Sequence, residues 1–307
     1  MENFQTPILF VVFNRYSTAI QVFNKIREIK PKKLYIAADG RRKTHKDDKQ
    51  KCEKVRSIAK LVDWDCELKT LFREENIGCG KGVYSAVNWL FENEDRGIIL
   101  EDDVLPIYDF FVYCDDLLER YKDNDKIKAI SGNDYGICPQ NQVGSYWYSS
   151  IFHVWGWATW RRAWKDYEFD LKKYSRKQLR DFYRPYSVSF ESKMYWYYRA
   201  MQMYYHTVDA WDYQAEFWIW RTKGLCIQPV KPLITNIGME KGTDKTHEFK
   251  DPNSMKFASQ NILPLKYNDK VVQDKEADLR FHKQFNRKAI WKYPILHFLL
   301  LFKKRKF

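Results

Sequence analysis

The chain has no C-x-x-C pair: Cys52, Cys66, Cys79, Cys114, Cys138 and Cys226 are scattered singly along it. That spacing excludes a zinc finger or ribbon. Several of the six fall in apolar periodic segments, which favours buried free thiols and a reducing compartment. No stretch approaches the ~20 apolar residues needed to cross a bilayer. A strand-like run begins almost at the N-terminus, so no signal peptide is expected, and the expected location is cytoplasmic. Internal repeats and low-complexity tracts are also missing. No glycine-rich phosphate loop follows the first strand-like run, which counts against a nucleotidyltransferase.

Positive charge and aromatic rings are plentiful. The formal net charge of +13 points to an anionic partner, a class that includes nucleotides, nucleic acids and acidic lipids. Part of it lies in the basic run 41–51, which reads as a solvated loop and helix start. Aromatics make up 17% of the chain and crowd between Trp147 and Trp220, so a sugar-stacking surface must be weighed against a plain aromatic core. Most of these rings are expected to be core. A nucleic-acid-binding module would interleave basic and aromatic residues, whereas here the aromatics cluster apart from the basic run and the basic tail.

Residues 7–13 (PILFVVF) form a short apolar, β-branched run that predicts a buried strand ending at Asn14-Arg15. Ser17 is a candidate N-cap for a helix carrying Ile20, Phe23, Ile26 and Ile29 at helical spacing, stopped by Pro31. A second strand over 33–38 ends at Asp39-Gly40. A helix with Val55, Ile58 and Val62 and a strand over 68–72 repeat the cycle. A glycine-punctuated turn over 76–82 then opens a helix with Val83, Ala86, Val87 and Leu90. Residues 97–100 (GIIL) run as a buried strand straight into Glu101-Asp102-Asp103. This alternation predicts a mainly parallel α/β sheet, in which ligands bind outside the carboxyl ends of the strands. Arg15, Asp39 and the acidic triplet would share that rim. Farther on, 127–130 and 225–227 read as strands, 157–164 as helix-like, and 171–205 and 213–221 as helical.

Three adjacent carboxylates repel one another and raise each other's pKa unless a cation binds them. Hard Mg²⁺ or Mn²⁺ takes oxygen ligands and needs few from the protein when a diphosphate supplies the rest. The alternative is a solvated turn or an acidic helix start. In Trp211-Asp212-Tyr213-Gln214, Asp212 is a candidate general base among aromatics; the alternative is a cap for the helix beginning at Tyr213, and Asp209 and Glu216 compete for the base role.

Taken together, Leu100-Glu101-Asp102-Asp103, Asp109-Phe110-Phe111 and the run 131–136 (SGNDYG) resemble the N-acetylglucosaminyltransferase I family, whose members have the glycosyltransferase-A fold and invert the sugar's configuration. Phe13-Asn14-Arg15, Ala38-Asp39-Gly40, Gly156-Trp157 and Trp211-Asp212 follow that family's motifs in order. Residues 226–238 resemble the strand into its donor lid, and 241–247 the lid itself. Similar patterns occur in bacterial sugar transferases of surface-polysaccharide loci. The resemblance spans roughly residues 6–250.

It implies that Asp103 binds Mn²⁺ or Mg²⁺, that Glu101 and Asp102 contact sugar and ribose, and that Arg15 and Asp39 hold the base, uracil by analogy. Asp212 would be the catalytic base, with Trp211 beside the donor sugar. Lys245 and His247 would approach the diphosphate as the lid closes, the alternative being lid-surface charges. Lys81, in its glycine-rich turn, is a weaker donor-binding candidate, the alternative being a solvated helix start. The implied activity is metal-dependent, inverting transfer of a sugar (N-acetylglucosamine or a related hexose) from a UDP-sugar to a glycan or lipid-linked acceptor in surface-polysaccharide or lipopolysaccharide synthesis. Metal and lid cations would neutralise the departing diphosphate, and Asp212 would deprotonate the attacking hydroxyl. The sequence departs from the eukaryotic enzymes after Asp212 and has no counterpart over 165–205, so the acceptor is open.

The expected organisation is a catalytic domain over 1–255, with a nucleotide-sugar half (1–136), an acceptor and base half (137–255) and a donor lid (238–250). A helical tail covers 256–307. Its segment 295–302 (ILHFLLLF), flanked by aromatics and followed by Lys303-Lys304-Arg305-Lys306, suits the surface of an anionic membrane; the alternative is a helix docked on the core. The competing functional readings are a nucleic-acid-binding protein, which leaves the acidic rim unexplained, and a non-catalytic sugar-binding relative.

Overall fold

The computed structural model describes residues 4–139, 144–187, 189–238 and 261–285. In chain order these form β1 (Ile8–Val12), α1 (Tyr16–Ile29), β2 (Lys33–Ala38), α2 (Asp48–Arg56), β3 (Glu67–Phe72), α3 (Cys79–Asn93), β4 (Arg96–Glu101), β5 (Val104–Pro106) and α4 (Tyr108–Arg120). Then come β6 (Ile127–Ser131), β7 (Tyr146–Ser149), β8 (Trp157–Trp160), α5 (Arg161–Trp164), α6 (Arg176–Tyr183), α7 (Phe190–Tyr204), α8 (Asp212–Arg221), β9 (Leu225–Pro229), β10 (Ile234–Asn236) and α9 (Lys275–Phe285).

Eight strands make one sheet in the order β3-β2-β1-β4-β8-β6-β9-β7. Pairing is parallel for β1 with β2 and β4, β2 with β3, and β6 with β9, so only β7 and β8 run against the rest. The sheet is mainly parallel and helix-flanked, the α/β architecture expected. Chain order reverses between β1 and β4, and such a switch point leaves a crevice at the carboxyl ends of the strands. Register aligns that edge: Val12 lies beside Ala38, and Val11 beside Glu101. Arg15, Asp39 and Asp102 therefore leave the sheet side by side. The small β5–β10 ribbon then returns the chain to Asp103, whose carbonyl accepts Ile237 N–H at 2.8 Å.

Two expectations need correction. Ser17 lies inside α1, and the residue at the cap position is Arg15. Residues 157–160 are a strand, not a helix: β8 is buried along its whole length between β4 and β6. A strand buried on both faces is apolar throughout, and its period of two disappears.

The tryptophans of the aromatic-rich region are core, while Phe190 is exposed. Trp147, Trp157, Trp164, Trp196, Trp211, Trp218 and Trp220 are all buried, and α8 packs its aromatic faces against α6 and α7. Residues 261–285 dock on the far edge of the sheet, where Gln273 bridges to Tyr148 of β7. Asp109 accepts Ile262 N–H at 2.8 Å, and Tyr148 donates its hydroxyl to Asn268 O at 2.7 Å. All six cysteines are free thiols, three of them buried, with Cys79 exposed. Among the described residues no helix is long and apolar enough to cross a membrane. The basic apolar segment over 295–306 lies outside the described residues.

Candidate active site

The end of β4 delivers Glu101, half-buried, then Asp102 and Asp103, both nearly fully buried, into a turn before β5. Burying adjacent carboxylates calls for a counter-charge. Arg15 supplies it from the end of β1: its Nη2 lies 2.5 Å from Asp102 Oδ1 and 2.9 Å from Asp103 Oδ2. Asp102 also accepts Phe13 N–H at 3.4 Å. Burial alone would lower the Arg15 pKa, but the charges of Asp102 and Asp103 outweigh it and raise it. One guanidinium does not balance three carboxylates. Burial, then Asp103 and Asp102, push Glu101 well above the usual carboxylate range, and burial pushes Asp102 up against the pull of Arg15.

Asp39, at the end of β2, turns toward the loop before α3. It accepts the amides of Gly40, Ile77 and Gly78 at 2.9 to 3.2 Å. Burial raises its pKa and those amides oppose the rise. Lys81 is exposed in the first turn of α3.

The second half of the site arrives through Asp209. Its carboxylate accepts Cys79 N–H at 2.7 Å and Gly80 N–H at 2.8 Å, closing the open N-terminus of α3. The approach is so close that a Cβ on Gly78, whose φ is +88°, would fall 2.4 Å from Asp209 Oδ2. This tie brings the start of α8 to the rim. Asp212 is the first residue of α8, one residue earlier than expected, and its Oδ1 accepts Tyr213 N–H at 3.0 Å. Its charge adds to the upward shift of Glu101, as the smallest contribution after burial, Asp103 and Asp102.

The neighbouring candidates are engaged structurally. Asp209 caps α3, and the buried Glu216 accepts Phe152 N–H at 3.1 Å. Trp211 is buried, stacked on Trp157 with ring centroids 5.4 Å apart. Lys245 and His247 lie outside the described residues, as does the expected lid segment beyond Gly238.

Tyr135 is a rim residue to which sequence reasoning assigned no task. It follows β6 in the 131–136 run with φ +49°, a left-handed conformation uncommon for a bulky residue. Its ring packs on His153 and Trp155 at 4.3 and 4.7 Å, and burial, with the charges of Asp212, Glu216 and Glu101, raises its pKa. The clue available in sequence was the Asp134-Tyr135-Gly136 turn directly after a strand.

The donor chemistry of the triplet, oxygen ligands in excess of their counter-charge, fits a hard divalent cation. Among the described residues, no group of three or more His, Cys, Asp or Glu side chains is arranged as a ready metal cage.

No protein-family model matches this chain, and no curated protein does. Solved structures do. A mannosyltransferase, PcManGT from Pyrobaculum calidifontis in complex with GDP-Man and Mn²⁺, is 11% identical, with a TM-score of 0.37 over 78% of this chain and 59% of its own. This chain thus spans less than two thirds of that enzyme. HddC from Yersinia pseudotuberculosis is 10% identical, with a TM-score of 0.33 over 53% of this chain and 80% of its own. A UDP-glucose pyrophosphorylase complexed with UDP-glucose is 12% identical, with a TM-score of 0.30 over 53% of this chain and 71% of its own. None of these three is an N-acetylglucosaminyltransferase I, and likeness this distant assigns this chain no substrate.

Proposed function

We propose that the protein is a metal-dependent inverting glycosyltransferase that moves a hexose, N-acetylglucosamine or a relative, from a uridine diphosphate sugar to an acceptor hydroxyl. What supports the reading is the pair of buried carboxylates Asp102 and Asp103 held by Arg15 at the strand ends, with Asp212, 109 residues beyond Asp103, opening α8 just after Asp209 ties the chain to the start of α3. The acceptor class is a glycan or lipid-linked glycan, as in surface-polysaccharide or lipopolysaccharide assembly. Residues 1–136 hold the donor, 137–255 supply the acceptor side and the base, and 238–250 form the lid. A tail over 256–307 contacts an anionic membrane through its basic end.

Glu101 and Asp102 bind donor hydroxyls, while Arg15, Asp39 and Lys81 serve the nucleotide side. Trp211 backs the donor sugar, and Lys245 and His247 meet the diphosphate from the lid. Asp103 would hold Mn²⁺ or Mg²⁺, which when bound would supply charge neutralisation for the leaving diphosphate. Asp212 accepts the proton of the acceptor hydroxyl, whose oxygen attacks the anomeric carbon from the face opposite the diphosphate. An α-linked donor then gives a β-linked product. Asp212→Asn keeps the shape and removes the base, so the expected result is unchanged donor binding by calorimetry with transfer reduced at least ~100-fold. Near-normal turnover in that variant removes Asp212 from the mechanism.

A further inference from the structure

We propose that Arg15 is the resident counter-ion of the acidic rim, and that a divalent cation reaches Asp103 only as the Arg15 guanidinium leaves it. This rests on the reading that Asp103 takes the metal.

A single nitrogen, Arg15 Nη2, contacts both Asp102 Oδ1 at 2.5 Å and Asp103 Oδ2 at 2.9 Å. Both carboxylates are almost entirely buried, and their ion pairs among the described residues are with Arg15. The pair is also covered. A Cβ at Gly238 would fall 2.4 Å from Asp103 Oδ2 and 2.9 Å from Arg15 Nη1, so the chain crosses directly over the contact. That crossing is pinned: Ile237 N–H donates to Asp103 O at 2.8 Å, and Gly238 N–H to Asn236 Oδ1 at 2.9 Å. A second cation cannot share the Asp103 oxygen with a guanidinium under that cover, because two positive centres at contact distance repel strongly in a site shielded from water.

Exchange is nevertheless feasible, because the side chain has somewhere to go. Arg15 is about one third exposed, on a long stem at the start of α1, whereas the carboxylates are fixed at a strand end. A released guanidinium stays on the rim, where a nucleotide diphosphate is a suitable new partner. Metal and nucleotide therefore favour each other's binding, each removing part of the cost of moving Arg15.

The test uses Mn²⁺ alone, without nucleotide, with binding read from the free-ion electron paramagnetic resonance signal. Arg15→Gln binds Mn²⁺ at least ~10-fold more tightly than the parent protein, and adding Asp103→Asn abolishes the gain. Arg15→Lys retains the charge on a shorter side chain that holds the two carboxylates less closely, so its affinity falls between the two. In the parent protein, Mg²⁺ titration shifts the Arg15 Nε resonance, which is assigned by its loss in Arg15→Gln. Mn²⁺ binding no tighter in either variant, or an Arg15 resonance unmoved at saturating Mg²⁺, overturns the proposal. Neither readout needs a sugar donor, so failure of the transferase reading leaves the result intact.

Discussion

At the residue scale, the task of each carboxylate is set by the backbone amides it accepts. Asp209 and Asp212 lie three residues apart and look equivalent in sequence. In the fold Asp209 caps a helix 130 residues away, while Asp212 accepts the next amide, that of Tyr213. That division was not legible, because the amides come from a distant glycine turn. The acidic triplet was legible, since a buried strand ending in three acids needs only local sequence to be seen. Asp209→Ala leaves two helix-terminal amides without their acceptor and is expected to lower stability by about 1–3 kcal/mol, read by urea unfolding. No measurable loss would mean that α3 holds its place without this cap.

His153 offers a pH test at the same scale. It is fully buried, with Nδ1–H donating to Asn133 O at 2.8 Å, and burial depresses its pKa to about 3. The folded value lies below that of the unfolded chain, near 6.5. Its stabilising contribution is therefore complete above pH ~6.5 and is lost as pH falls toward about 3. Raised carboxylates such as Glu216 act in the opposite sense, so the informative quantity is the difference between the parent and His153→Gln. That difference should shrink by about 1.4 kcal/mol per pH unit between pH 6 and 4. A constant difference contradicts a buried neutral imidazole.

At the element scale, the regular β-α alternation up to β4 was readable because each strand is a short apolar run and each helix has a distinct apolar stripe. Beyond β6 the aromatic content erased both periods. β8 read as helical, while β7, four residues at Tyr146–Ser149, and β10, three residues, were too short to register. The docking of α9 was equally hidden, since it depends on one buried acid. Asp278 accepts Ser149 Oγ–H at 2.5 Å, Ser150 N–H at 2.9 Å, Ser150 Oγ–H at 2.6 Å and Gln273 Nε2–H at 2.8 Å. Asp278→Ala strands these donors and is expected to cost about 2–4 kcal/mol. Hydrogen exchange should then show α9 opening well before the central sheet. Retained protection of α9 would show that its apolar contacts suffice.

At the scale of the whole molecule, charge is segregated. The acidic rim lies at one end of the parallel strands. At the other end a cleft of about 760 Å³ is lined by Arg96, Lys122, Arg161, Arg162 and Lys165 together with Glu94 and Asp95. Net charge thus says little about the site, where, among the described residues, the carboxylates of the triplet outnumber the Arg15 guanidinium that pairs with them. The central claim is that this rim binds a nucleotide sugar through a metal at Asp103. A thermal-shift panel of nucleotide sugars, with and without Mn²⁺, tests it most directly. One uridine diphosphate sugar should raise the melting temperature by several degrees, about 2–3 kcal/mol at 100-fold excess over its Kd, only with Mn²⁺ and not in Asp103→Ala. Stabilisation by no uridine nucleotide, or equal stabilisation of Asp103→Ala, would contradict the account.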